Sequence, residues 1–156
     1  MNFNDLRLLV DNKDAFLEFF ASNKQEIVDY IDASKSNKPK DIPLDFMDVG
    51  KPITQKDLIT LLEFYLKGYL LEWDLEYILN SLDGCDIEDE KVEEVIFNFG
   101  NPYLNYHISI ENVNRAIRYL KNEMLNLQLD GVDIKSKQQN KDYRPNYKSK
   151  VFGVHP

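Results

Sequence analysis

From Ile53 to Leu127 the apolar residues recur every three or four positions, and each run stops at a glycine or begins at a hydroxyl or acidic cap. That period places them on one stripe of a helix and excludes alternating strands. Helices are expected over about 55–67, 72–82, 87–98 and 110–127. Thr54 caps the first, with Asp57 three residues on and Ile53 stapling to Leu58. Its stripe is Leu58, Leu61, Leu62, Tyr65 and Leu66, and Gly68 stops it. The second carries Leu75, Ile78, Leu79 and Leu82. Asp86 caps the third, whose stripe is Val92, Val95, Ile96 and Phe99 before Gly100. Ser109 caps the fourth, with Ile117, Leu120, Met124 and Leu127 along its seam.

The N-terminal part is helical with less regularity. Asn4 can cap a helix that carries Leu6, Leu9 and Val10; Phe16, Phe19 and Phe20 follow either in that same helix or after a break near Asp11-Asn12, and Ser22 with Gln25 has the spacing of a capping box for another short helix. The expected organisation is an N-terminal helical segment (1–33), an irregular Pro-containing loop (34–52), an acidic helical core (53–130) and a basic C-terminal tail (131–156), in one domain. The fold class is all-α, a bundle of five to seven helices with an irregular basic C-terminal segment. With 156 residues, 43% of them apolar, the chain has a globular composition.

Charge is unevenly placed. Residues 72–94 hold ten acids against Lys91 alone, whereas 131–156 holds six bases and two acids. The acidic field repels nucleic acid and anionic membrane, and attracts cationic proteins or metal ions. No signal-peptide pattern or membrane-length apolar run is present, which leads to the expectation of a cytoplasmic protein. Cys85 is the only cysteine, so no internal disulfide forms.

Calcium binding at 83–94 fails on spacing. An EF-hand loop started at Asp83 puts Cys85 and Ile87 at ligand positions and Glu88 where glycine is required. The segment 101–112 lacks carboxylates at the ligand positions and has Asn112 where the loop needs Glu. His107 and His155 are the only imidazoles, there is no phosphate loop, and no cysteine–histidine ligand set exists. The expectation is therefore no catalytic residue, no metal and no cofactor. A carboxylate-dependent enzyme is the least favoured reading.

Helical phase points the acids at a partner. With the apolar stripes inward, Trp73, Glu76 and Tyr77 of the second helix and Glu90, Glu94 and Phe97 of the third face outward, joined by Asp86, Glu88 and Asp89. Aromatics ringed by carboxylates suit an interface that attracts a basic protein and then anchors it. The alternative is that these aromatics pack on the N-terminal helices and leave only an acidic rim exposed.

The stretch "LLEFYLKGYLLEWDLEYIL" (61–79) carries a helix ending in Tyr-Leu-x-Gly, a short link and an acidic helix with Trp-x-Leu-Glu. It resembles segments of small helical immunity proteins of bacterial toxin systems, of the colicin-D and contact-dependent-inhibition types. The resemblance covers under a fifth of the chain. It implies a cytoplasmic protein that binds and neutralises a cognate basic toxin domain, a nuclease in many such systems, with no direct nucleic-acid or membrane binding. A helical scaffold or adaptor without inhibitory activity is the alternative.

Overall fold

A computed structural model describes residues 1, 3–35, 52–82, 87, 89–100 and 108–130. The Pro-containing loop, the 131–156 tail, Cys85, His107 and His155 lie wholly or almost wholly outside them. The described residues form six α-helices and no strand: α1 (Phe3–Asp11), α2 (Phe16–Lys35), α3 (Gln55–Leu66), α4 (Glu72–Leu82), α5 (Glu90–Gly100) and α6 (Ile110–Leu120). A single turn of 3-10 helix, Lys13–Ala15, joins α1 to α2. The fold is an all-α bundle.

Helix α4 is its centre. It packs on α2, α3 and α5, and nine of its eleven residues are buried. A helix surrounded on several sides needs apolar groups on more than one face. Leu75, Ile78, Leu79 and Leu82 fill one side, and Trp73 and Tyr77 fill the other. α1 and α2 add Leu6, Leu9, Phe19, Ile27, Tyr30 and Ile31 to the same core as Leu58, Val95 and Val113. The N-terminal segment and the acidic core thus share one hydrophobic interior.

The expected start of α3 holds. Thr54 Oγ1 accepts from the Asp57 backbone N–H (3.2 Å), and Asp57 Oδ2 accepts from that of Thr54 (3.0 Å). Asp57 also receives Arg7 Nη1 at 2.6 Å, so the cap ties α1 to α3. Gly68 ends α3 in the left-handed region (φ +75°), with its N–H on the Tyr65 carbonyl and the Tyr69 N–H on that of Phe64, both 2.9 Å.

Four boundaries differ from the sequence expectation. Asn4 lies inside α1 and does not cap it. The break at Asn12 is present, but Ser22 and Gln25 open no new helix: α2 runs unbroken for 20 residues, because no glycine or proline interrupts it. Gln25 Nε2 instead donates to Asp29 Oδ1 one turn on (2.8 Å). α5 starts at Glu90, where Asp89 Oδ1 accepts the N–H groups of Lys91 (2.9 Å) and Val92 (3.3 Å); Asp86, the expected cap, lies outside the described residues. α6 stops at Leu120 and does not run to 127. Asn122 adopts φ +60°, its N–H reaches the Tyr119 carbonyl (3.1 Å), and the Glu123 N–H reaches that of Arg118 (2.8 Å). Asparagine is the commonest non-glycine residue in this stop, through its tolerance of the left-handed region.

Gly100, expected beyond the end of α5, is its last residue and sets the α4–α5 approach. A Cβ there would lie 2.6 Å from the backbone carbon of Leu79 and 2.7 Å from Asn80 N. Asn80 Nδ2 donates to the Gly100 carbonyl across the same contact (2.8 Å).

After α6 the chain turns back along it. Asn112 is fully buried, and its side-chain amide pairs with the backbone of Asp130 in both directions, each bond 2.9 Å. Arg115 Nη1 holds the Asp130 carboxylate at 2.9 Å. Met124, Leu127 and Leu129 close against the core from this returning segment, although α6 itself has ended.

Candidate functional site

The nine residues expected to meet a partner divide into three groups. Trp73, Glu76 and Tyr77 do not face outward. Trp73 retains 7% of its surface, Tyr77 none, and Glu76 is buried beside them. The expectation of an outward phase for α4 is corrected here: one apolar stripe was assigned to solvent because the second packing partner, α2, was unknown to the phase argument. Asp86 and Glu88 lie outside the described residues. Asp89, Glu90, Glu94 and Phe97 remain at or near the surface of α5.

The α4 residues belong to a polar seam with α2. Tyr30 donates to Glu76 Oε1 (2.8 Å), and Tyr77 donates to Glu26 Oε2 (2.8 Å), which also pairs with the amino group of Met1. The Tyr30 and Tyr77 rings meet edge to face, centroids 5.7 Å apart. Burial, then the hydrogen bond to Glu26, pushes the Tyr77 phenol far above its ordinary value. A buried carboxylate held by a phenol fixes which residues of α2 and α4 meet, since a shifted pairing leaves a polar group without its partner.

The charge of 72–94 is correspondingly redistributed. Asp74 is buried at the start of α4, where Oδ2 accepts the Leu71 N–H at 2.7 Å. Glu76 belongs to the seam, and Asp89 caps α5. What faces solvent on α5 is Glu90, Glu93 and Glu94, with Phe97 46% exposed one turn on. Their spacing of three and four residues makes them neighbours on one face. Glu93 belongs to that face, although the phase argument selected only Glu90, Glu94 and Phe97.

Lys91, the one base in the stretch, turns away from this face. Its Nζ donates to Asn122 Oδ1 (2.8 Å) and the Tyr119 carbonyl (3.3 Å), and lies 4.5 Å from the centre of the Tyr119 ring. A cation there sits at the C-terminal end of α6, where the helix dipole favours positive charge. Tyr119 in turn donates to Glu94 Oε2 (2.5 Å). That hydrogen bond, followed by burial, raises the Tyr119 phenol to about 12. Neither Lys91 nor Tyr119 was picked out from sequence. Their signal is tertiary, because it depends on α6 ending beside the start of α5.

Among the described residues no group of three histidine, cysteine or acidic side chains is arranged to hold a metal ion, and no helix is long and apolar enough to cross a membrane. Chemically, the face offers carboxylates for cations and one aromatic surface for apolar contact. No protein-family model matches the chain, and no curated protein or solved structure matches it.

Proposed function

We propose that this chain is a binding inhibitor: a cytoplasmic immunity protein of a bacterial toxin system that neutralises a basic toxin domain, a nuclease, through the outer face of α5. The observation that carries the reading is Phe97, 46% exposed on a face with Glu90, Glu93 and Glu94. A face that only stays wet has no use for a large exposed aromatic beside its carboxylates. A face that holds a cationic protein uses one, because aromatic anchors dominate binding energy while surrounding charges steer encounter. The resemblance over 61–79 supports the same reading, and the anchoring role expected of Trp73 and Tyr77 passes to Phe97.

In this mechanism the carboxylates draw the partner in and align it. Phe97 then seats in an apolar recess, and the bundle covers the cationic groovethrough which nucleic acid would enter the toxin. Parallel pull-downs with the tagged wild-type chain and the Phe97→Ala and Glu90→Lys variants test it. The wild type should retain one tightly bound basic protein whose nuclease activity it suppresses, and both variants should lose it. Equal retention by all three proteins would move the interface off α5. A retained partner with unaltered activity would make the chain an adaptor.

A further inference from the structure

The three carboxylates of the α5 face are not equivalent. Among the described residues, the side chains of Glu90 and Glu93 take part in no hydrogen bond or ion pair. Glu94 differs, because Tyr119 of α6 donates to its Oε2 at 2.5 Å. We infer that Tyr119 is a positioning residue of the binding face: its phenol holds the Glu94 carboxylate in one rotamer, so that this acid meets a partner's cation already ordered.

The phenol is itself held from behind. Tyr119 is buried, whereas Glu94 is exposed, so the tyrosine stands under the face and the carboxylate on it. Lys91 Nζ lies 4.5 Å from the centre of the Tyr119 ring and donates to the Tyr119 carbonyl and to Asn122 Oδ1. Asn122 is fixed in turn by the left-handed stop of α6. A series of contacts thus runs from the end of α6 through Lys91 and the ring to Glu94. With its phenol raised to about 12, Tyr119 stays protonated, and so a donor, at neutral pH. Oε2 is occupied by that donor, and Oε1 is left to accept from an ammonium or guanidinium group.

A long side chain that orders only on contact weakens binding, and one ordered beforehand does not. Tyr119→Phe isolates this effect. It keeps the ring, the contact with Lys91 and the net charge, and removes only the hydroxyl. The field that steers a cation is then unchanged while the order of Glu94 is lost. Affinity should fall by about two- to tenfold, the range set by immobilising one flexible side chain.

The role of Tyr119 rests on the α5 face being the binding surface, so the test reads the two separately. In the free protein, three-bond couplings measured by NMR should show a single χ1 rotamer for Glu94 and averaging for Glu90 and Glu93. Tyr119→Phe should bring Glu94 to the averaged pattern. Octa-arginine is then titrated into both proteins at several salt concentrations, with its dissociation constant read from the amide shifts of Glu90, Glu93, Glu94 and Phe97. The variant should bind more weakly by the same factor at every salt concentration, because screening acts on the unchanged charge in both proteins. An averaged Glu94 in the wild type, or equal affinities for the two proteins, would overturn the positioning role and leave the binding face standing. A difference that vanishes at high salt would also overturn it, since the hydroxyl would then act through the field. Octa-arginine that leaves the α5 amides of the wild type unshifted would remove the binding face, and the role of Tyr119 with it.

Discussion

Replacing Gly100 with alanine should separate the two most closely packed helices of the bundle. The added Cβ would stand 2.6 Å from the Leu79 carbonyl carbon and 2.7 Å from both Leu79 O and Asn80 N, all of them backbone atoms. Ordinary carbon contacts lie at about 3.5–4.0 Å, so α5 must retreat by roughly 1 Å. A side chain could rotate out of the way, but the backbone of a buried central helix cannot. The retreat also stretches the 2.8 Å bond from Asn80 Nδ2 to the Gly100 carbonyl. Overpacking of this kind costs about 1–3 kcal/mol. Alanine recovers up to about 1 kcal/mol through its better helix propensity. The net expectation is a loss of about 1–2 kcal/mol, which for a chain of this size lowers the melting temperature by about 2–8 °C. Urea unfolding followed by far-ultraviolet circular dichroism measures it. An unchanged or raised midpoint would refute the close-approach argument, since propensity alone would then be acting.

Trp73 should report a buried site: blue-shifted emission, weak quenching by iodide, and a loss of about 3–5 kcal/mol on Trp73→Ala. Red-shifted emission with ready quenching would contradict its position between α4 and its neighbours. Asn112→Ala removes both bonds that hold the Asp130 backbone, and should cost about 2 kcal/mol. Hydrogen exchange should then speed up over 124–130 while α3 and α4 stay protected; unchanged exchange would show that the return segment is held by other means. The alkaline limb of stability follows from Tyr65 and Tyr119, whose phenols are raised to about 12, by burial in Tyr65 and first by the Glu94 hydrogen bond in Tyr119. A folded value above the unfolded value of about 10 means that stability is complete below pH ~10 and declines as pH rises toward ~12. A melting temperature that is flat across that window would contradict both assignments.

The helical class and the cap at Thr54 were legible because each depends on residues within one or two turns. α5 and α6 were legible in phase but not in extent. Asp89 caps α5 at Glu90, three residues beyond the expected start, and Asn122 stops α6 even though Met124 and Leu127 extend its apolar spacing, because these two pack from a returning stretch of chain. The error at Trp73 and Tyr77 has a different origin. A helical wheel shows where apolar residues lie but not how many neighbours the helix has, and α4 has three. On α5, which keeps an open side, the same reasoning placed Glu90, Glu94 and Phe97 at the surface, where they are found. Lys91 and Tyr119 were invisible because their pairing joins residues 28 positions apart.

The central claim is that the α5 face steers and anchors a cationic protein. Its most direct test is the association rate constant between this chain and the basic protein it retains, measured by stopped flow over a salt series for the wild type and a Glu90→Lys, Glu93→Lys variant. Charge steering predicts a wild-type rate that falls steeply as salt rises, and a variant rate that is slower at low salt and converges on the wild type as screening shortens the field. Rates independent of salt, or equal for the two proteins at low salt, would contradict it.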